Sequence, residues 1–267
     1  MNICVCVKQV PDTTEIRIDP VTSTLIRSGV PSIVNPYDTY ALENAARLKD
    51  RYPDSRITVI SMGPPQAKNA LKECLSIAAD QAYLVTGREF GGSDTYATSY
   101  ILSRAIRYVE EKEGRFDCIF CGKQAIDGDT AQVGPELAEH LGYPQITYAM
   151  ECEAEGTRLR VIQQGPEHRQ VLETELPCVV TFTNPGFDVR YPTVKRKLAA
   201  GKAVIPEVPP AELEGIDLGR CGLKGSPTRV KTTFVPVHNK NGVIVRDETG
   251  EQSARKLAGL LSEAGIV

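Results

Sequence analysis

No sign of charge dominates this chain. Its 267 residues hold 31 Lys and Arg against 34 Asp and Glu, a formal net charge of −3. Proteins that hold nucleic acid do so largely with a surplus of basic residues on the phosphates, so nucleic acid is not an expected partner. No apolar run nears the roughly 20 residues of a membrane-spanning helix, and mean hydropathy is −0.22; no membrane insertion is expected. No secretory leader is expected either. Ile3–Val7 is apolar, but Lys8 and Pro11 end the run, short of the roughly 7–15 residues of a signal core, and no basic segment precedes it. A cytoplasmic location is the resulting expectation. Tryptophan is absent and aromatics make up 6%, which decides nothing about function.

Catalytic sets are also missing. The chain has 3 histidines, His140, His168 and His238, far apart and beside no nucleophile motif. There is no HExxH pair and no nucleophile elbow. His140, in a helical segment, reads as a satisfied surface residue. Asp127 and Asp129 have the spacing of a metal pair, but such a pair more often caps a helix.

What is present begins with 41% apolar residues and 8 cysteines. Cys4, Cys6, Cys74, Cys118, Cys121, Cys152, Cys178 and Cys221 sit among apolar neighbours, as buried thiols of a reduced protein do. Cys118 and Cys121 have the spacing of a metal or redox pair. They lie, however, in the strand-like run Phe116–Cys121, where residues three apart face opposite sides.

Strand and helix signals alternate from residue 1 to about 145. Ile3–Val7, Arg56–Ser61, Ala82–Val85 and Phe116–Cys121 read as buried strands. Between them lie three helical stripes. The first carries Tyr40, Ala41, Ala45 and Leu48, with Glu43 placed to pair with Arg47. The second carries Ala67, Ala70, Leu71, Cys74, Leu75 and Ala78, and the third Ile101, Leu102, Ala105, Ile106 and Val109. This alternation implies parallel crossovers and a sheet covered on both faces. The expected fold class is therefore α/β, a doubly wound, mostly parallel, Rossmann-like sheet.

Gln145–Glu153 then alternates, with Ile146, Tyr148, Met150 and Cys152 on one face, and Leu159–Ile162 and Gln170–Leu176 follow at hairpin spacing. These read as antiparallel strands added to the sheet, and Pro177–Thr183 as a further core strand. From Gly201 to Gly250 the chain is rich in Pro and Gly without a period, which reads as an arm lying on another surface. Leu257, Leu260, Leu261 and Ala264 mark a closing helix. The expected division is 1–200 as the α/β domain and 201–267 as an arm and helix packing on a partner.

One loop stands out for chemistry. Gly122–Pro135 (GKQAIDGDTAQVGP) follows a buried strand and enters a helix with Leu137, Ala138 and Leu141. In an open parallel sheet this is the carboxyl edge, where ligands bind. Free N–H groups at a helix start attract phosphate, and Lys123 adds charge. Pro135, which needs no N–H, places the helix start within about four residues before it. The loop matches neither a Walker motif nor GxGxxG; its bland reading is a glycine-rich turn before a helix. Val7–Pro11, Ser61–Pro65 and Asn35–Asp38 converge on the same edge. Asn35-Pro36-Tyr37-Asp38 opens a helix with Asn as N-cap, Pro at the first position and an acid in the first turn.

Together, Val5–Asp12 (VCVKQVPD), Asn35–Glu43 (NPYDTYALE), Val59–Gln66 (VISMGPPQ), the Gly122 loop and Arg190–Thr193 (RYPT) resemble the beta subunit of electron transfer flavoproteins. The resemblance extends over essentially the whole chain. It implies a heterodimer with an alpha subunit carrying FAD. The form Asp127-Gly128-Asp129-Thr130-Ala131-Gln132-Val133, with Lys224–Thr228 (KGSPT), is similar to the electron-bifurcating branch. There the beta subunit binds a second FAD where other members hold AMP. The small residues Gly128 and Ala131 are compatible with that larger ligand.

Carried over motif by motif, the resemblance implies nucleotide contacts at Cys6, Asn35, Pro36, Tyr37, Asp38, Met62, Gly122, Lys123, Gln124, Ala125, Ile126, Asp127, Gly128, Asp129, Thr130, Ala131, Gln132 and Val133, mostly through backbone. Val194 matches the anchor that docks a flavin-dependent dehydrogenase, with Val where leucine is usual, beside the basic triplet Lys195-Arg196-Lys197. The activity implied is that of an NADH-oxidising complex typical of anaerobic metabolism. Hydride passes from NADH to the beta-subunit FAD; one electron goes to ferredoxin or flavodoxin and one, through the alpha-subunit FAD, to the dehydrogenase. The alternatives are an AMP-holding subunit of a non-bifurcating carrier and a non-redox nucleotide sensor. Asp38 either orients backbone N–H groups at the mouth of the site or is simply a favourable first-turn acid.

Overall fold

The computed structural model describes residues 1–12, 31–232 and 242–267. They form two compact units, Met1–Lys231 and Thr232–Val267. His238 lies outside the described residues.

In the first unit the short apolar runs become inner strands. β1 (Asn2–Cys6) leads to a small antiparallel pair, β2 (Gln9–Pro11) and β3 (Ser32–Val34). α1 (Pro36–Arg51), β4 (Arg56–Met62), α2 (Lys68–Ile77), β5 (Gln81–Val85), α3 (Thr95–Glu113), β6 (Cys118–Gly122) and α4 (Val133–Leu141) then alternate. β7 (Gln145–Glu155), β8 (Arg158–Gln164), β9 (Arg169–Glu175), β10 (Cys178–Phe182), α5 (Val194–Lys202), β11 (Glu207–Val208) and the single turn α6 (Gly222–Gly225) complete the unit. The order in the sheet is β11-β5-β4-β1-β6-β10-β7-β8-β9. The strands from β11 to β7 run parallel; β8 and β9 are antiparallel. This is the doubly wound α/β sheet expected.

The two faces hold separate cores, because alternate residues of each strand point to opposite sides. Ile3, Val5, Cys118 and Phe120 pack with Ala41, Leu42, Ala45, Leu71 and Cys74 of α1 and α2. Cys4, Cys6, Ile119 and Cys121 pack with Ile101, Ile106, Leu137 and Ala138 of α3 and α4. Cys118 and Cys121 therefore diverge, as their spacing on a strand requires. All eight cysteines are free and buried.

Three expectations are corrected. β7 is not antiparallel to the core: it runs parallel to β10 and antiparallel only to β8. The reason is α4, a crossover helix that returns the chain to the same end of the sheet. The alternation along β7 also breaks. Tyr148 has φ 56° and is exposed, while Ala149 is fully buried, and the register slips on both neighbouring strands. Two successive register shifts, between Ile146 and Ala149 and between Ala149 and Glu151, break the pattern there, and Cys152 returns to the face of Ile146.

The boundary at 200 moves too. β11 adds to the sheet beside β5, and Ile205, Val208, Leu213 and Cys221 are buried. The Pro-rich segment thus belongs to the first unit as far as Lys231. Its apolar residues are spaced by turns rather than by a period, so no helical or strand pattern shows.

In the second unit, α7 (Gly250–Glu263) starts with a full capping box, Thr249 and Gln252 each bonding the other's backbone. Its Leu257 and Leu260 are exposed.

Candidate functional site

β1 is the point where the strand order reverses. From β1 the chain proceeds through α1 to β4 on one side; β6 lies on the other. The loops leaving β1 and β6 diverge there, which opens a crevice at their carboxyl ends. The start of α1 fills the base of that crevice.

Asn35 holds the N-cap position of α1 and Pro36 the first turn, but the Asn35 side chain caps nothing. Its Nδ2 donates to the Gln124 carbonyl at 2.8 Å, and its Oδ1 accepts the Ile126 N–H at 3.2 Å. The residue therefore clamps the Gly122 loop onto the helix start. Asp38 does the same one turn on. Its carboxylate accepts the Lys8 N–H at 2.7 Å and the Gly122 N–H at 3.0 Å, joining the two diverging loops across the switch point. Asp38 is both the acid of the first turn of α1 and the acceptor of two loop N–H groups. Burial pushes its carboxyl up to about 7, against the lowering effect of Asn35 and of the Lys8 and Gly122 amides.

The loop itself is set by further bonds. Lys8 Nζ pairs with Asp127 at 2.6 Å, and Gln124 Nε2 donates to Asp129 at 2.6 Å. Asp129 and Ala131 have φ of 52° and 54°, a left-handed backbone that costs an L-residue about 1–2 kcal/mol. Among the described residues no hydrogen bond engages the amides of Thr130, Ala131 and Gln132. They adjoin the uncapped first turn of α4, whose N-cap is Gln132. Adjacent free N–H groups at a helix start form an anion cradle.

The three loop glycines serve different ends. A Cβ at Gly122 would overlap Asp38, and one at Gly134 would overlap the Thr181 methyl, so both are needed for packing. A Cβ at Gly128 would meet nothing within 4 Å; its face is open. Lys123 lies between two rings, its Nζ 5.1 Å from the Tyr37 centroid and 5.4 Å from that of Tyr148.

Cys6 ends β1 at this edge and is buried, with its side chain on the α3 and α4 face. Met62, half-buried, ends β4 beside it. Ala125 and Val133 lie within the loop and at the first turn of α4. Val194 is not part of this assembly. It opens α5, 78% exposed, behind the Thr193 N-cap. Of the neighbouring basic triplet, Arg196 is turned inward onto the Leu75 and Ala79 carbonyls.

Two participants gave little sign in the sequence. Lys8 lies in a segment singled out only for its position, since an ion pair over 119 residues leaves no local pattern. Tyr148 is hidden by the apparent alternation. Glu43 does pair with Arg47, at 3.2 Å, but its principal partner is Arg190, which grips both carboxylate oxygens at 2.8 and 3.1 Å. No group of residues among those described is arranged to hold a metal, and no helix among them is long and apolar enough to cross a membrane.

The fold is that of a doubly wound α/β protein whose strand order reverses at β1. The electron transfer flavoprotein domain family matches residues 22–213. The chain is 47% identical over 256 residues to the electron transfer flavoprotein subunit beta of Megasphaera elsdenii, covering 95% of this chain and 94% of that one. It is 42% identical over 267 residues to the caffeyl-CoA reductase-Etf complex subunit CarD of Acetobacterium woodii, covering 100% of both. It is 45% identical over 241 residues to the protein FixA of Azorhizobium caulinodans, covering 88% of this chain and 85% of that one. The chain belongs to the electron transfer flavoprotein family, among its beta subunits.

Proposed function

We propose that this beta subunit binds FAD at the switch-point crevice, within a heterodimer that oxidises NADH and bifurcates the electrons. The observation that carries the reading is the cradle of unengaged amides at Thr130, Ala131 and Gln132, next to the open face of Gly128. A diphosphate suits that donor set, and the absence of a Cβ leaves room for a ligand larger than a monophosphate. The residues present therefore fit the cofactor.

The chain's own part is positioning. Asp38 and Asn35 fix the loops, Lys8 neutralises Asp127, and the amides before α4 hold the phosphates. Lys123, Tyr37 and Tyr148 shape the rim. When bound, the flavin would supply the redox chemistry, two-electron exchange with NADH and one-electron exchange with later carriers. The onward carriers are ferredoxin or flavodoxin and, through the alpha-subunit FAD, a flavin-dependent dehydrogenase docked at Val194. Lys195 and Lys197 are exposed and supply charge to steer an acidic partner.

Residues 232–267 are proposed to dock on the alpha subunit, with the exposed Leu257 and Leu260 of α7 toward it. The free thiols fit a reducing, cytoplasmic setting.

The deciding measurement is cofactor content and anaerobic reduction of the purified heterodimer. Two FAD per heterodimer, with both spectra bleached by NADH, is expected. One FAD with AMP would return the non-bifurcating carrier, and no flavin would return the nucleotide sensor. Two FAD without reduction by NADH would remove the electron donor from the reading.

A further inference from the structure

Behind the sheet, away from the switch-point loops, a second pocket is lined by Tyr100, Ser103, Arg104 and Arg107 of α3, His140 and Leu141 of α4, and Arg220. Its charges are of one sign. Arg107 is satisfied by Glu110 at 2.9 Å and Tyr143 at 2.9 Å. Arg104 and Arg220 are not: no carboxylate among the described residues pairs with either. Arg220 lies 4.0 Å from the Tyr100 ring centroid and Arg104 lies 5.6 Å from it, so one ring carries two guanidinium groups.

Two of the nearby acids are engaged elsewhere. Asp217 accepts the Gly219 N–H at 2.8 Å, and Glu136 accepts from Thr95 at 3.2 Å. Glu139 is the acid that favours the charged form of His140.

His140 packs its ring 5.4 Å from Tyr96 and 5.8 Å from Tyr100. Burial holds its imidazole below the usual range, and the charges of Arg220 and Arg104 add to that effect. The pocket is also built rather than loose. Arg220 donates to the Tyr96 hydroxyl at 2.9 Å, the Asp217 N–H to the Tyr100 hydroxyl at 2.9 Å, and Ser103 Oγ to the Tyr100 carbonyl at 2.7 Å. Two guanidinium groups held on one ring, with no carboxylate among the described residues paired to either, repel one another; an anion between them removes that cost.

We propose that this pocket binds a phosphate dianion, with Arg104 and Arg220 as its permanent contacts and His140 as a third that engages when protonated. Guanidinium forks match phosphate oxygens in pairs. The inference does not rest on the flavin reading, because none of these residues belongs to the switch-point crevice.

Histidine NMR of the full chain tests it, with His140→Gln assigning the signal and His168 as internal control. Inorganic phosphate at constant ionic strength should shift His140 saturably and raise its titration midpoint by roughly half to one pH unit. Sulfate, which does not itself titrate in this range, should bind up to about tenfold tighter below that midpoint than above it. The paired change Arg104→Gln and Arg220→Gln should weaken the response at least about tenfold and leave His168 unmoved.

Adenosine monophosphate identifies the source. A tighter response than phosphate points to a nucleotide, an equal or weaker one to free phosphate. A non-saturating shift, the same shift with chloride, or undiminished affinity in the paired variant overturns the proposal. So does loss of the response when the alpha subunit is bound, which would make the pocket a subunit contact.

Discussion

The Gly122 N–H donates to Asp38 Oδ1 at 3.0 Å, and a Cβ on residue 122 would overlap that same oxygen. The bond and the missing side chain are one arrangement: α1 starts hard against the end of β6. Gly122→Ala should therefore destabilise the first unit by about 1–3 kcal/mol, the usual cost of overpacking. Gly128→Ala, which meets open space, should stay within about 0.5 kcal/mol of the parent. Urea unfolding of the two variants compares them directly; equal losses would contradict the packing described.

Asp38 gives the crevice a pH dependence. Burial raises its folded value to about 7 from 3.8, so between those limits the folded state holds the proton more firmly than the unfolded state. The contribution of this group to stability falls as pH rises from about 4 to 7, and the cost of the buried charge is complete above 7. The full change is roughly 3–5 kcal/mol. Asp38→Asn removes the titration, so the stability difference between variant and parent should drift in the variant's favour over that window. A difference independent of pH would show that Asp38 does not titrate there.

Arg190 and Glu43 anchor the segment that ends at Val194. The Glu43 side chain is 5% exposed, and Arg190 also reaches Asp50 at 2.7 Å. These carboxylates hold the guanidinium charge well above its usual range. Arg190→Ala leaves Glu43 buried with only the half-exposed Arg47, at an expected cost of about 3 kcal/mol. Adding Glu43→Gln should recover part of that loss, because no buried charge is then left short of a partner. Thermal unfolding of the single and double variants reads the coupling; strictly additive losses would deny it.

Local chemistry explains which parts of this were legible in the sequence. The start of α1 showed through Asn35-Pro36 and a first-turn acid, and the inner strands through short apolar runs with divergent Cys118 and Cys121. The Gly122 loop showed by following such a strand. The side-chain role of Asn35 did not, because its partners Gln124 and Ile126 lie 89 and 91 residues away. Arg190 was hidden in the same way, 147 residues from Glu43, while Arg47 stood conspicuously one turn along. β11 is two residues long and exists only because β5 offers an open edge. The bulge at Tyr148 was masked by apolar residues on both sides of it.

Tyr148 supplies the last prediction. It holds φ 56° in β7, the residue is 41% exposed, and its ring faces Lys123 across 5.4 Å. A left-handed backbone costs an L-residue about 1–2 kcal/mol, whereas glycine adopts it freely. Replacing Tyr148 by Ala and by Gly removes the same ring contacts, so the difference between the two variants isolates the backbone. Gly is the more flexible residue when unfolded and loses roughly 0.5–1 kcal/mol at ordinary positions. Here the order should reverse, with Tyr148→Gly more stable than Tyr148→Ala by about 1 kcal/mol. Tyr148→Phe keeps the ring beside the ammonium and should match the parent to within about 0.5 kcal/mol. Chemical unfolding of the three variants provides the comparison. An alanine variant as stable as the glycine one would mean that residue 148 does not hold the left-handed conformation, and the register of β7 would then have to be drawn without a bulge.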